Sequence, residues 1–258
     1  ILSFIWNSGI QPVEEVVQLA EIASAGTFEE ALECLTIIEN IDDQIPEEQI
    51  LESASVLRSA ISSQPNDPKT GLLYHGWDES KKMPWANKET GNSPNFWSRS
   101  LGWYAMALVD VLDFMPENYP KHKELVGYLN QLAPALVKQQ HASGLWYQVT
   151  DQGNRAGNYL EASGTAMFAY SFAKGANKGY LPKEYKKIAE KAFDGMTKNL
   201  VKVTPEGYVI ITEACAVAGL GGKPYRDGSY EYYINERKQD NDPKATGPFI
   251  LAALELNK

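Results

Sequence analysis

The chain has 258 residues, 43% hydrophobic and 22% charged, the balance of an ordinary soluble globular protein and not of a disordered or fibrous one. No apolar run approaches the ~20 residues of a membrane span. A formal net charge of −9 argues against nucleic acid as a partner.

The acidity is uneven. Residues 1–63 carry twelve acids against the single base Arg58, a balance of −11, while residues 64–258 balance at +2. The first stretch has no Tyr and no His, and all fourteen Tyr fall in the second. This shift predicts a seam between an acidic helical piece, 1–63, and an aromatic-rich body, 64–258. Cys34 and Cys215 sit in apolar surroundings and read as buried free thiols. No secretory leader is visible, which leaves cytoplasm and periplasm both open.

In chain order, Pro12 opens a helix that carries apolar residues at helical spacing to Ile22. Thr27 and Glu30 form a capping box for a helix from about Phe28 to Glu39, and Pro46-Glu47-Glu48 starts a third running to about Ser62. Asp67-Pro68-Lys69-Thr70-Gly71 is turn chemistry before a short extended run through Trp77. A helix follows from about Phe96 to Phe114, with Trp97, Leu101, Tyr104, Leu108, Val111 and Leu112 near one stripe and Arg99 and Trp103 sharing another. The next, from about Pro120 to His141, contains Pro134, which is expected to kink or split it. Glu161-Ala162-Ser163-Gly164 opens a helix whose small residues favour close packing, and a further helix spans about 182–200.

Gly71, Gly144 and Gly207 each lead from turn residues into a short aromatic extended run, spaced by about two helices. Helical hairpins returning to one end at this interval are what a closed ring of hairpins requires. The fold class read from them is all-α, a partial or complete (α/α)6 toroid.

The chemistry concentrates between Gly71 and Trp103, which hold four of the six Trp, one of the three His, an Asp-Glu pair and Arg99 between two Trp. Burying such groups without partners costs several kcal/mol, so their simplest use is to face a polar ligand with apolar faces, such as a sugar. Late Tyr-rich loops, Tyr225 to Tyr233, add a cleft rim.

His75-Gly76-Trp77-Asp78-Glu79, Trp97-x-Arg99-x-x-x-Trp103, Gly144-Leu145-Trp146-Tyr147-Gln148, Glu161-x-Ser163-Gly164 and Tyr225-Arg226-Asp227-Gly228-Ser229-Tyr230 together resemble the unsaturated rhamnogalacturonyl hydrolases, glycoside hydrolase family 105, near the unsaturated glucuronyl hydrolases of family 88. The resemblance covers about residues 64–258. It implies an (α/α)6 barrel, an oligosaccharide substrate ending in a 4,5-unsaturated uronic acid, and no metal or cofactor. The implied reaction hydrates the vinyl-ether double bond: a carboxylic acid protonates C4, water adds at C5, and the hemiketal opens. By resemblance, His75, Trp77, Trp97, Arg99, Trp103, Trp146 and Tyr230 would face the sugar, Arg99 pairing its carboxylate. The family's acid belongs to an upstream Asp-Asp-aromatic segment that Thr27-Phe28-Glu29-Glu30 does not match. Asp78, among aromatics that would raise its pKa, is then the best remaining acid, with Asp42, Asp43, Glu29 and Glu30 behind it. A catalytically silent sugar-binding relative and a polysaccharide lyase are the alternatives.

Overall fold

The computed structural model describes residues 2, 5, 11–25, 28–39, 41, 44–62 and 66–258. The chain divides into two compact units, Ile1–Pro65 and Asn66–Lys258. The Thr27 cap and the Asp42-Asp43 pair lie outside the described residues.

In the first unit a single 3-10 turn, Val13–Glu15, leads into α1 (Val16–Ala25), followed by α2 (Phe28–Glu39) and α3 (Glu47–Ser62). Pro12 therefore opens a 3-10 turn first and the α-helix one turn later. α1 packs against both α2 and α3, and Leu19, Cys34 and Ile37 form its buried centre. Cys34 and Cys215 are both free, buried thiols.

The second unit is an arc of an (α/α)6 toroid in two layers. One layer holds α4 (Ser98–Phe114), α6 (Ala162–Lys178) and α9 (Pro243–Leu256), with α6 in the middle and buried from Ala162 to Ala176. The other holds α5 (His122–Lys138), packed on α4, and α7 (Tyr185–Asn199), packed on α6 and α9. α5 runs unbroken through Pro134. The proline lies on the exposed face, where water can reach the carbonyl its ring deprives of a donor, so the helix survives. Leu101, Leu108 and Leu112 are buried as their spacing predicts, but Val111 is exposed.

What positions the site is a belt of extended segments at the end where α4, α6 and α9 begin. Residues 75–78 lie beside 91–95 through Ser93 N–H to Gly76 O and Asp78 N–H to Gly91 O, both 2.9 Å. Thr150 N–H to Phe96 O and Ser98 N–H to Gln148 O add the next segment. β1 (Trp146–Tyr147) then pairs antiparallel with β2 (Leu160–Glu161). Ala162 N–H to Glu213 O and Ala216 N–H to Arg237 O carry the belt on to the C-terminal third. A two-stranded hairpin, β3 (Val201–Val203) and β4 (Val209–Ile211), follows α7, and α8 (Tyr230–Asn235) is a short helix after the glycine-rich loop. Gly71, Gly144 and Gly207 all have positive φ, +74°, +92° and +89°, and each turns the chain into one of these extended runs.

Two other glycines set the helix spacing. A Cβ on Gly164 of α6 would stand 2.7 Å from Ser98 Oγ and 2.9 Å from the Ser98 backbone, and one on Gly102 of α4 would stand 2.7 Å from Met167 Cβ. Gly164→Ala should therefore cost about 1–3 kcal/mol of stability in urea unfolding, because the main chain of α4 has to yield. In α5, Gly127 has open space where a Cβ would sit, and Gly127→Ala should gain about 0.5–1 kcal/mol from reduced backbone freedom. Equal effects from the two substitutions would disprove the close approach of α4 and α6.

Candidate active site

His75 stands on the first segment of the belt. Its ring centroid is 4.8 Å from that of Trp97 and 5.8 Å from that of Tyr233, and Trp97 and Tyr233 stack at 6.2 Å with 27° between planes. Tyr233 Oη lies 2.5 Å from His75 Nδ1. Burial, and after it the Arg226 guanidinium, push the His75 pKa down to about 4, so the imidazole is neutral at physiological pH. Arg226 comes from a loop that covers this segment: a Cβ on Gly76 would touch Leu220, and Gly221 lies over Met83 and Trp85. Its Nε donates to Gly221 O at 2.9 Å, which fixes the plane of the guanidinium.

Below the cluster sits a buried polar frame. Trp97 Nε1–H donates to Gln148 Oε1 at 3.0 Å, while Gln148 Nε2 donates to Tyr233 O at 3.2 Å. Indole N–H can only donate and a carbonyl can only accept, so the amide of Gln148 has one satisfactory orientation. Glu161, fully buried, accepts from Ser163 Oγ, from Gly164 N–H at the start of α6 and from Cys215 N–H at 3.0 Å. Arg99 Nε donates to Ser163 Oγ at 2.7 Å, and its terminal nitrogens reach Cys215 O, Ala216 O and, at 3.6 Å, the Glu161 carboxylate.

This arrangement brings His75 and Trp97 together, sets the Arg99 guanidinium 5.3 Å from the Trp97 ring centroid in the frame below, and places the other sequence-derived candidates elsewhere. Arg99 is 1% exposed and spends its fork on the frame, so its reading as the partner of a substrate carboxylate gives way to a positioning one. Trp146 is fully buried, its Nε1–H on Leu136 O and its edge against Phe168, and belongs to the core instead of a sugar face. Tyr230 is buried under the Arg155 guanidinium, 3.7 Å above its ring, and its hydroxyl points to the carbonyls of Arg155 and Ala156. Trp77 ties its own loop through Nε1–H to Thr90 O at 3.0 Å. Trp103 alone keeps an open indole, 47% exposed on α4.

Asp78 runs against expectation. Burial works to raise its pKa, but Met83 N–H at 2.7 Å and the Ser80 hydroxyl and N–H outweigh it and hold the carboxyl below its ordinary value. A carboxylate knotted into its own loop is a poor store of a proton. The acid that burial carries upward is Asp151, beside Asp67 and Tyr74, with Oδ1 lacking a hydrogen-bond partner among the described residues. Reasoning from sequence passed over Asp151, reached Gln148 only as part of a motif and placed Tyr233 only in the aromatic rim. The spacing of Tyr230 and Tyr233 on one helical face was the available signal for the last. A groove of about 510 Å³ beside α7, lined by Lys187, Lys191 and Glu190, holds none of these residues. Among the described residues there is no His, Cys, Asp and Glu group spaced for a metal ion, and no helix long and apolar enough to cross a membrane.

The chain belongs to Glycosyl Hydrolase Family 88, whose profile matches residues 35–258. The match starts inside the acidic segment, upstream of residue 64 where the motifs alone placed it. It is 39% identical over 191 residues to the 24.9 kDa protein in the picA locus of Rhizobium radiobacter, covering 72% of this chain and 82% of that one. To the unsaturated rhamnogalacturonyl hydrolase YesR of Bacillus subtilis it is 34% identical over 104 residues, 40% of this chain and 27% of that one. Among solved structures, a family 105 glycoside hydrolase of C. acetobutylicum aligns with a TM-score of 0.79 at 36% identity, over 95% of this chain and 78% of that one. The chain is therefore a glycoside hydrolase on an (α/α)6 fold.

Replacing Arg99 tests its place in the frame. Arg99→Lys keeps the charge but cannot reach Ser163, two carbonyls and Glu161 at once. It should lower stability by about 1–3 kcal/mol in denaturant unfolding, the cost of leaving buried acceptors without a donor. A lysine variant as stable as the wild type, with weakened sugar binding, would return Arg99 to the ligand.

Proposed function

We propose that this site hydrates the 4,5-unsaturated uronic acid at the non-reducing end of pectin-derived, rhamnogalacturonan-type oligosaccharides and so releases it. The observation that carries the reading is the neutral imidazole of His75, packed against Trp97 and Tyr233 with the Arg226 cation nearby. An unsaturated uronate is flat on one side, rich in acceptor oxygens and negatively charged. Aromatic surface, a neutral ring N–H and a guanidinium suit those three properties in turn. The name of the B. subtilis relative supports the same substrate class.

In this reaction the proton goes to C4 of the enol ether and positive charge develops on C5 and the ring oxygen. Water adds at C5 and returns a proton to the carboxylate that protonated C4; the hemiketal opens by breaking its C5–O5 bond to give a ketone, and the hemiacetal left at C1 collapses to the aldehyde and frees the linked sugar. A carboxylic acid must supply the first proton. Asp78 is ill suited, since its hydrogen bonds favour the ionised form.

The test is the absorbance of the conjugated uronate when an unsaturated disaccharide is added. Its loss indicates hydration, a gain from intact polysaccharide indicates lyase chemistry, and binding without either indicates a silent relative. Asp78→Asn should keep turnover within about threefold of the wild type, against the roughly 10²–10⁴-fold loss that removal of a general acid causes. A loss of that size, with the fold intact, would restore Asp78 as the donor.

A further inference from the structure

We propose that Tyr233 sets the tautomer of His75: the phenol donates to Nδ1, the single imidazole proton stays on Nε2, and Nε2–H is offered to an oxygen of the ligand. That the ligand is a sugar rests on the function proposed above, whereas the tautomer does not.

The 2.5 Å contact between Tyr233 Oη and His75 Nδ1 admits two proton arrangements. In one the phenol donates and Nδ1 accepts; in the other Nδ1–H donates and the phenolic proton needs an acceptor of its own. Tyr233 is fully buried, and among the described residues Nδ1 is the one partner its hydroxyl has. The second arrangement would therefore strand a buried O–H, so the first is favoured. A doubly protonated ring is disfavoured by burial and by the Arg226 guanidinium, the charged group that acts on it.

The phenol is held for this task from several sides. Its ring stacks on Trp97 and meets Tyr232 edge-on at 5.2 Å. Its own carbonyl accepts from Gln148 Nε2, and its N–H donates to Ser229 O at 3.2 Å. Because Gln148 also holds the Trp97 indole, one buried amide fixes both aromatic walls around the imidazole. His75 is only half-buried, and among the described residues the hydrogen bond its ring makes is the one at Nδ1. The nitrogen that Tyr233 leaves protonated is the one without a protein acceptor, which is the geometry of a donor kept for a ligand.

The experiment is nitrogen-15 NMR of histidine-labelled protein. The His75 signals are assigned by their disappearance in His75→Gln, which separates them from those of His122 and His141. The expected result at neutral pH is a protonated Nε2 and an unprotonated, hydrogen-bonded Nδ1. In Tyr233→Phe, which keeps the ring stack, the His75 tautomers should become mixed, and the affinity for an unsaturated disaccharide should fall about tenfold by calorimetry. A wild-type ring protonated on Nδ1 overturns the proposal without recourse to any variant, and so does an unchanged tautomer in a folded Tyr233→Phe. A wild type that shows the Nε2–H tautomer but does not bind the disaccharide refutes the sugar as ligand and leaves the role of Tyr233 standing.

Discussion

The buried carboxylate of Glu161 is the point on which the second unit depends. It ends the short strand β2, caps α6 through Gly164 N–H, and accepts from Cys215 N–H fifty-four residues further on. Through Ser163 and the Arg99 fork it also holds the first turn of α4. Four chain segments thus meet on one acid. Such a group is costly to bury alone, and a frame of this kind is stable because every oxygen is met by donors that would themselves be stranded without it. Removing any one partner is then far worse than the net worth of the pair suggests. The same frame lies beneath the site, because Trp97, which immediately precedes α4, faces His75 on one side and the anchored Arg99 guanidinium, 5.3 Å from its ring centroid, on another.

The frame is neutral as a pair, and this shapes the electrostatics above it. With Arg99 compensated by Glu161, the cation that acts on His75 is Arg226, delivered by a separate loop. A structural guanidinium and a second, less buried one therefore have different work within the same cluster. Sequence alone favours Arg99 for the ligand because it stands between two tryptophans. It does not show that Ser163, Cys215 and Ala216, sixty-four to 117 residues away, converge on that side chain.

The same limit explains what was and was not legible. Apolar spacing and turn chemistry placed α4, α5 and α7 to within a few residues, and the start of α6, because both are local. The small residues of α6 announced a close approach, and Gly164 and Gly102 make it. Pro134 does not split α5, since its cost depends on whether the freed carbonyl faces water, and that is a property of the packed helix. Trp146 was misread for a related reason. An aromatic residue in a Gly-aromatic strand signals a wall as readily as a binding face, and only the Leu136 carbonyl and the edge contact with Phe168 settle which. For Asp78 the neighbouring aromatics suggested desolvation, but the short-range donors of Ser80 and Met83 act on the carboxylate directly and prevail.

Tyr233 shows why the polar heart of the site was harder to see than its aromatic rim. The residue that matters to a histidine is the one within a hydrogen bond of its ring, and here that partner lies 158 residues away on a six-residue helix. Its register follows from Ser229, whose side chain accepts from Tyr232 N–H and starts the helix, so that Tyr230 and Tyr233 face inward together. Tyr230 takes the outer place beneath Arg155 and Tyr233 the inner place beside His75. A shift of one residue would put Tyr232 there, whose hydroxyl accepts from Gly219 N–H and so belongs to the glycine-rich loop. The chemistry offered by His75 is thus set by the cap of a short helix, through a register that decides which of three tyrosines reaches the imidazole.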